Sequence, residues 1–370
     1  MKTFASLFAF LLFLPALAFA QGSLTPPGAP APTMKSLAQI EPRTPISSLP
    51  YTISVPGSYY LTTNLTGLAG TNGITISTGN ASLDLNGFVL TGLTGSLAGV
   101  FVSGTYSNLT VRNGEIKGWG GRGVDAYSFS PACVVLDHLT VSDTGDYGIM
   151  TSGPAIVRDC ISQRNRADGF YVAEVLMTDC ASYYNGGSGI VAGGGRVRDC
   201  RANGNNLYGI YAISCEVRGC QAINSLNYGI YSSGGDVRDC EVDFSGYYGV
   251  YITAGTVSRC KISSSVKSGI YANSPGCQII GNTCINNNTS GGTNDAGIYL
   301  NDANIRVEGN HVTGSGHAGI SVSASYGGNV ITKNSVAGNG ASNYLVPGAN
   351  DLGPVGTVAT STSPWANISH

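Results

Sequence analysis

Residues 220–240 read CQAINSLNYGIYSSGGDVRDC, and this unit repeats along the middle of the chain. A cysteine recurs at every twentieth residue, at Cys160, Cys180, Cys200, Cys220, Cys240 and Cys260. A glycine followed by an apolar residue recurs in phase with the cysteines, at Gly169, Gly189, Gly209, Gly229, Gly249 and Gly269. Self-similarity at a fixed period predicts a solenoid, in which no single repeat can bury its apolar side alone.

The same register continues on both sides of the cysteines. It places Gly114 and His138 at the cysteine position of the preceding repeats, and Asn282, Asn310 and Asn334 at that position in the following ones. Short alternating apolar runs bounded by Gly, Asn and Ser predict two or three strands in each repeat. The predicted fold is therefore all-β, a single parallel β-helix of about 20 residues per turn whose coils stack at the ~4.8 Å spacing of paired strands.

Two sets of residues resemble known proteins. Turns of the type Gly229-Ile230-Tyr231 and strands of the type Gly309-Asn310-His311-Val312 resemble the repeats of the pectate-lyase-like superfamily, over residues 70–345. The stretch 26–46 resembles a leader on a group of secreted bacterial β-helix proteins. The resemblance implies a right-handed parallel β-helix, and it implies little about activity because one such fold hosts many functions.

The pattern divides the chain into five parts. Lys2, an apolar run over residues 4–17 and Ala18-Phe19-Ala20 predict a signal peptide over residues 1–20 that is cleaved after Ala20. The proline-rich residues 21–50 predict an extended arm or linker. Three further parts are predicted: an irregular N-terminal cap over 51–110, the regular β-helix over 111–345, and a C-terminal cap and tail over 346–370. Within the tail, Trp365 is expected to cover the last open coil.

Composition and targeting indicate the compartment and the partners. The signal peptide predicts a protein that is secreted, or held at the cell surface or in the periplasm, and no later segment reaches the ~18 apolar residues of a membrane span. The net charge is −2 and 11% of the residues are charged, without a basic stripe, which argues against nucleic acid as a partner. The expected partner is a polysaccharide, and the residues do not indicate an oligomeric state.

Stacked coils turn each sequence offset into a column that faces either the core or solvent. A position held by Cys, Gly or Asn describes an inward column of small stacked side chains, and a second such column begins at Asn165, Asn185 and Asn205. Buried free thiols and disulfides between coils both stay open, because neighbouring Cα atoms lie within disulfide range and export permits oxidation. Neither a metal nor another cofactor is predicted, because the chain lacks C-x-x-C and histidines at ligand spacing.

A column of tyrosines follows the corner glycines and is expected to point outward. Its members are Tyr171, Tyr211, Tyr231, Tyr251, Tyr271 and Tyr299. Three further rings lie at the neighbouring corner, at Tyr208, Tyr228 and Tyr248. A flat aromatic stripe is a surface on which a polysaccharide can stack, so we predict carbohydrate binding for the six tyrosines of the column. The alternative is an aromatic ladder that only stabilises the coils.

Known catalytic patterns are missing from the sequence. The resemblance implies that a hydrolase of this superfamily carries several carboxylates with G-H-G and R-I-K patterns, and that a lyase carries calcium-binding aspartates with an arginine base. The chain contains neither G-H-G nor R-I-K, and Glu115-Ile116-Lys117 is no substitute. Serine-hydrolase elbows, H-E-x-x-H and phosphate-binding loops are also missing.

One constellation is a candidate for catalysis. Lys267, Asp295 and His317 each lie two residues before a corner glycine in successive coils, beside an insertion over residues 286–294. If the register holds, the three side chains stack within reach of one another and can perform acid–base work on a sugar. Three polar residues in a corner column are also consistent with solvated surface.

Three functions follow from these patterns. The first is an exported protein that binds extended polysaccharide along the tyrosine column without catalysis. The second is a polysaccharide lyase or glycoside hydrolase with a divergent site at the candidate constellation, so the sequence leaves open whether the protein is an enzyme. The third is a structural shaft or adhesin.

Overall fold

The computed structural model describes residues 40–127 and 133–370. The chain divides into two compact units, Met1–Pro42 and Arg43–His370. The predicted signal peptide and residues 21–39 of the predicted arm lie outside the described residues. Within the described part of the chain, no helix is long and apolar enough to cross a membrane.

The second unit is an all-β parallel solenoid of about 14 turns with about 21 residues per turn, which confirms the predicted parallel β-helix. Its strands are short, and they pair in parallel with strands one coil away. The first strands are β1 Thr44–Ile46, β2 Tyr51–Ile53, β3 Gly57–Leu61, β4 Leu65–Thr66, β5 Ile74–Ile76, β6 Ala81–Asp84, β7 Val89–Thr91, β8 Val100–Val102, β9 Leu109–Lys117, β10 Val124–Ala126, β11 Val134–Ser142, β12 Ile149–Thr151 and β13 Ala155–Arg158. The central strands are β14 Ile161–Gln163, β15 Phe170–Thr178, β16 Ala181–Tyr183, β17 Ile190–Arg198, β18 Arg201–Asn203, β19 Ile210–Arg218, β20 Gln221–Ile223, β21 Ile230–Ser233, β22 Val237–Arg238, β23 Glu241–Asp243, β24 Val250–Ile252, β25 Thr256–Ser258 and β26 Lys261–Ser263. The last strands are β27 Ile270–Ala272, β28 Gln278–Ile280, β29 Thr283–Ile285, β30 Ala296–Leu300, β31 Arg306–Glu308, β32 His311–Thr313, β33 Ala318–Val322, β34 Val330–Thr332, β35 Ser335–Ala337, β36 Ser342–Leu345, β37 Asp351–Leu352, β38 Val355–Gly356 and β39 Asn367–Ser369.

A regular coil has three faces, which the coil that starts at Cys220 illustrates. Strand β20 lies on the first face and pairs with β23, β21 lies on the second face and pairs with β24, and β22 lies on the third face and pairs with β25. The sequence period follows from this pairing, because each residue lies in register with the residue one coil later. Outward residues of the second face, such as Tyr231 and Tyr251, therefore stack directly on one another.

The cysteine column is buried in the core, with each of the six side chains at most 2% exposed. All six are free thiols, and each Sγ donates to the carbonyl oxygen two residues earlier, for example Cys200 to Arg198 at 3.0 Å and Cys240 to Arg238 at 3.1 Å. Of the two alternatives that the sequence left open, the structure has buried free thiols and not disulfides between coils. Hydrogen bonding to the preceding thiol, followed by burial, raises the pKa of Cys180 and of the cysteines after it in the column.

Asparagine replaces cysteine in the later coils and adds bonds between side chains. The Nδ2 of Asn282 donates to Oδ1 of Asn310 at 3.0 Å, and the Nδ2 of Asn310 donates to Oδ1 of Asn334 at 2.9 Å. Asn367 continues this ladder, since its Oδ1 accepts from Asn334 Nδ2 at 3.1 Å. The asparagines of the second inward column form the same kind of ladder, with Asn165 donating to Oδ1 of Asn185 at 3.0 Å, whereas the serine hydroxyls that follow them at 225, 245 and 265 have no hydrogen-bond partner.

The sequence-based assignment of His138 to the cysteine column is wrong. Leu139, and not His138, pairs with Gly114 and is buried at 1% exposure. His138 has a left-handed backbone (φ 51°) and an exposed side chain, as Asp159 has in the next coil (φ 52°). The assignment of Leu139 also removes the extra residue that the sequence placed before Gly148, because this glycine lies nine residues after Leu139.

The two ends differ from the sequence-based expectation. Strand β1 pairs with β3, and Ile46 is fully buried, so the β-helix begins inside the segment 21–50 that was predicted as an arm. At the other end Trp365 does not cover the last coil, since it is 53% exposed and lies beneath the Lys333 ammonium at 4.5 Å. Strand β39 closes that end instead, by pairing with β35.

The thiols provide a test of this core. In denaturant without reductant, we expect a chromogenic thiol reagent to count ten thiols, because all ten cysteines are free. In the native protein we expect reaction only at Cys133, since the other nine side chains are buried and most of them have raised pKa values. A count below ten in denaturant would show that some coils are joined by disulfides.

Candidate functional site

The second face carries two ladders of tyrosines, which together we name the tyrosine face. The sheet ladder consists of Tyr211, Tyr231, Tyr251, Tyr271 and Tyr299, and the corner ladder of Tyr208, Tyr228 and Tyr248. Ring centroids along the sheet ladder lie 4.7–5.5 Å apart with interplanar angles of 8–16°. In the corner ladder the centroids lie 5.2 and 5.5 Å apart, and Tyr248 ends it by stacking on Tyr271 at 4.3 Å.

Mutual stacking changes the surface that these rings offer. Rings in the middle of a ladder, such as Tyr231, have a neighbouring ring on each face. Their outward surface is therefore mainly ring edge and phenolic hydroxyl, rather than the flat stripe that the sequence suggested. The coil spacing causes this, because it places parallel rings close to their stacking distance. The stacking contacts make the ladder an element that stabilises neighbouring coils.

Two predicted members differ from the rest. Tyr299 keeps the outward register of Tyr271, with which it pairs, but it is only 7% exposed because it packs with Ala296, Ala318 and Tyr271. Tyr171 is separated from Tyr211 by Val191, with which both tyrosines pair in register. The Tyr171 ring instead makes edge contacts with two aromatic rings nearer the N-terminus, Tyr127 at 5.8 Å and Tyr147 at 5.7 Å.

The candidate catalytic residues lie at the C-terminal end of the tyrosine face. Lys267 Nζ lies 3.1 Å from Asp295 Oδ2, and the Asp295 side chain is only 6% exposed. Ser268 donates its hydroxyl to Asp295 Oδ1 at 3.1 Å. The ammonium group also lies 6.0 Å from the ring centroid of Tyr247. The structure thus brings Lys267 and Asp295 together as a largely buried ion pair beside tyrosines.

His317 follows Asp295 in the next coil, as the sequence predicted, because Ala296 pairs with Ala318. Its Nδ1 is buried without a hydrogen-bond partner, and no ion pair joins its ring to Asp295 among the described residues. The register prediction is therefore correct, but the three side chains do not form one hydrogen-bonded group. A buried nitrogen without a hydrogen-bond partner lowers the stability of the fold.

Sequence reasoning missed a charged group at the N-terminal end of the face. Arg122 Nη1 lies 2.9 Å from Asp125 Oδ2, and its Nε lies 3.2 Å from Asp146 Oδ2. The guanidinium carbon lies 5.7 Å from the ring centroid of Tyr147. A sequence signal for this group was present in the column of residues that directly precede the corner glycines. In that column, Arg122 and Tyr147 come before the coils that carry the tyrosine ladder.

Asp168 belongs to the same column as Arg122 and Tyr147, but it differs from Arg122 because it has no ion-pair partner among the described residues. Its Oδ1 accepts the backbone N–H of Ser188 at 2.5 Å, and no ion pair among the described residues involves it. Burial, which is the largest cause, raises the pKa of Asp168, and the Asp146 carboxylate contributes to the increase. Asp168 is therefore a half-buried carboxyl without a cation partner at the edge of the aromatic surface.

Three potential metal ligands come together on the opposite side of the coil, at Asp137, His138 and Asp159, whose ligand atoms lie within 4.8 Å of one another. Asp137 Oδ1 accepts a hydrogen bond from His138 Nδ1 at 2.7 Å, and both carboxylate oxygens of Asp137 accept from Arg158, at 2.9 and 3.2 Å. Because the guanidinium neutralises the best-placed carboxylate, this group does not change the prediction that no metal is bound.

The family can now be stated. A family model, the right-handed β-helix region, matches residues 72–214 and 212–353 of the chain. The chain belongs to this family. The match covers the predicted regular coils and confirms the right-handed parallel β-helix that the resemblance implied.

Solved structures are similar to this chain at low sequence identity. One is the A-module of a mannuronan C-5 epimerase of Azotobacter vinelandii, with 17% identity, 85% of this chain and 91% of that chain covered, and a TM-score of 0.52. Others are a periplasmic alginate epimerase (12% identity, 82% and 78% covered, TM-score 0.48) and the catalytic unit of an α-1,3-glucanase of Streptomyces thermodiastaticus (16% identity, 82% and 63% covered, TM-score 0.35). No curated protein matches the chain. At these identities the likeness shows the fold alone.

The ionisation of the tyrosine hydroxyls tests how the rings of the tyrosine face pack. Burial, followed by the neighbouring tyrosines, raises the pKa of Tyr228 and of Tyr271 from 10.0 to about 12. A phenol with a raised folded-state pKa stabilises the fold fully below about pH 10, and this contribution is lost as the pH rises toward 12. We expect phenolate absorbance to rise in at least two steps, and the melting temperature to fall between these pH values. Tyr228→Phe removes one of the late-titrating groups, and a single step near pH 10 for every tyrosine would contradict the packing.

Proposed function

We propose that this right-handed β-helix is an exported protein that binds an extended polysaccharide along its tyrosine face without catalysis. The observation that carries the proposal is the continuous run of half-exposed tyrosines on the second face, from Tyr208 and Tyr211 to Tyr271. Each coil repeats the same phenol group at the coil spacing. A chain of sugar units that lies along the solenoid axis therefore meets equivalent groups in successive coils.

The border of the tyrosine face supplies the polar contacts that a glycan needs. Asn273 donates to the hydroxyl of Tyr251 at 2.7 Å, and Asn301 donates to Asn273 Oδ1 at 2.7 Å. Thr253 donates to the Ser233 hydroxyl at 2.9 Å. These side chains hold one another in place, so binding to their free donors and acceptors loses little conformational entropy.

The ligand class and the compartment have separate support. A solved protein with the same fold is a mannuronan C-5 epimerase, so a polysaccharide is a ligand that this architecture accommodates elsewhere. Export rests on the signal peptide predicted for residues 1–20, which lies outside the described residues. The two lines of support are consistent, because extended polysaccharides are met outside the cytoplasm.

Ring removal tests the binding surface. We expect Tyr231→Ala and Tyr251→Ala each to weaken polysaccharide binding about tenfold, because each opens a gap in the stacked surface. Affinity electrophoresis in gels that contain single polysaccharides measures the change. The matched control is Tyr184→Ala, which removes a tyrosine that is 63% exposed and lies outside both ladders. Equal binding by all three variants would show that the tyrosine face is not the binding surface.

One observation favours a second candidate function, a polysaccharide lyase or hydrolase. Burial, with contributions from Tyr271, Tyr247 and Asp295, raises the pKa of Tyr248, so a neutral phenol lies beside the Lys267–Asp295 ion pair. A lyase needs a cation to neutralise a uronate carboxylate, a base that removes the proton at C5 and a proton donor for the leaving oxygen. Lys267 and Tyr248 offer the first and the last, and the Asp295 carboxylate beside them is the base that takes the C5 proton. Hydrolysis fits less well, since it uses two carboxyl groups and Asp295 is the one carboxyl joined to this group among the described residues.

Product analysis tests the second candidate. If it holds, the protein releases unsaturated uronates from an acidic polysaccharide, and Lys267→Ala lowers the rate by about 10²-fold or more, the range for loss of a charge-stabilising group. Absorbance of the unsaturated products measures lyase activity, and reducing ends measure hydrolysis. His317→Gln tests whether the unsatisfied Nδ1 takes part. If none of the acidic and neutral polysaccharides is cleaved, this second function is excluded for them.

A further inference from the structure

One coil interrupts the tyrosine face. In the coil that starts at Cys180, Ser188 occupies the corner position and Val191 the sheet position that carry tyrosine in later coils. Tyr208 and Tyr211 therefore have rings stacked on their C-terminal side and no ring contact with Tyr171 on the other side. Rings inside the ladder have a neighbouring ring on both faces. At the coil that carries Val191 the ladder is interrupted, so the N-terminal faces of Tyr208 and Tyr211 have no ring stacked on them.

The interrupted coil also has unusually small side chains. Glycine occurs at 186, 187, 189 and 193–195, and the Ser188 side chain is buried. Two coil spacings, about 9.6 Å, separate the backbones that carry Tyr171 and Tyr211. Two van der Waals contacts of about 3.5–4.0 Å each need about 7–8 Å, so one flat ring fits between the two tyrosines above Val191. The spacing of the coils therefore leaves room at this position for a slot of the thickness of a single sugar ring.

Asp168 lies at the edge of this slot, one coil before Ser188. Its Oδ1 accepts from the Ser188 N–H at 2.5 Å, and a Cβ on Gly187 would lie 2.2 Å from the same oxygen. Glycine at 187 is therefore what allows the carboxyl group to lie against this coil. The other carboxylates that border the tyrosine face are paired, Asp125 and Asp146 with Arg122 and Asp295 with Lys267.

We propose that this slot, bounded by Tyr171, Tyr208, Tyr211, Asp168 and Val191, holds one pyranose ring of a neutral, hydroxyl-rich glycan. The apolar face of the sugar stacks on the open faces of Tyr208 and Tyr211. Its hydroxyl groups donate to the Asp168 carboxylate, which is an acceptor. The inference rests on the proposed binding function. It adds the position at which the glycan is bound and the chemical class of the sugar.

Charge selects a neutral glycan over an acidic one. Arg122 and Lys267, at the two ends of the tyrosine face, are each already paired with a carboxylate, and no ion pair joins Asp168 to a cation among the described residues. A uronate in the slot would meet Asp168 with no partner cation to offset it, and two like charges in a partly buried site repel. A neutral sugar incurs no such cost, and its hydroxyls satisfy the carboxylate.

Filling the slot tests the position. Val191→Tyr supplies the missing ring of the ladder, and the register shows that tyrosine fits this position in the neighbouring coils. We expect the variant to fold with an unchanged or higher melting temperature and to bind a soluble β-glucan or xylan about tenfold more weakly. Leu176→Tyr is the matched control, since it adds a ring at an exposed position of the third face, and its binding should equal that of the wild type.

Asp168→Asn tests the class of sugar. The amide oxygen can still accept from Ser188, but the negative charge is lost. We expect binding of the neutral glycans to weaken and binding of polygalacturonate and alginate to increase, so that the ratio of the two affinities changes about tenfold. Calorimetry at low salt with the full chain measures both classes of probe.

The outcomes separate the two proposals. If the wild type binds the tested glycans and Val191→Tyr binds them equally well, the slot is wrong and the binding function stands. If the wild type prefers polygalacturonate or alginate, the neutral class is wrong. If the wild type binds no glycan of either class, the proposed function fails and the slot with it.

Discussion

The structure depends on one constraint, the hydrogen bonding of each coil to the next at the parallel-strand spacing of about 4.8 Å. Every inward position must then accept a nearly identical side chain above and below it. The Asn282–Asn310–Asn334 ladder meets this demand by bonding side chain to side chain, and the six cysteines meet it by donating to local carbonyls. Both solutions satisfy the polar groups of the column that they fill, whereas the buried hydroxyls of Ser225, Ser245 and Ser265 in the second inward column have no hydrogen-bond partner. The cysteines therefore belong to packing and not to redox chemistry.

The same spacing decides what the outer surface can do. Tyrosines at equivalent positions are brought to 4.7–5.5 Å, where their rings stack on each other before they meet any ligand. An uninterrupted ladder consequently offers ring edges and hydroxyls. Open aromatic faces arise only where the repeat is broken, as at Val191. Irregularity in the repeat is therefore the place to look for ligand selectivity in this β-helix.

Electrostatic pairing complements the aromatic surface. Arg122 and Lys267 at the two ends of the tyrosine face are neutralised by neighbouring carboxylates, and ion pairs also join outer charges on other faces, as in the Arg218–Asp239–Arg259 group. Asp168 is the exception on the tyrosine face. A lone, half-buried carboxyl is more costly than a paired one unless a ligand or solvent satisfies it, which gives it a functional meaning that paired carboxylates lack.

The sequence by itself determined the fold, because a period of about 20 residues with inward Cys, Asn and aliphatic residues is compatible with few structures other than stacked coils. It also determined the register of Lys267, Asp295 and His317. Only the tertiary structure decided that Leu139 and not His138 enters the core. A shift of the register by one residue in an irregular coil leaves the pattern of apolar and polar residues in the sequence almost unchanged. It also decided that Tyr299 is buried and that ladder rings cover one another. Those outcomes depend on contacts between residues 20 or more positions apart, whose distances and ring orientations no local pattern contains.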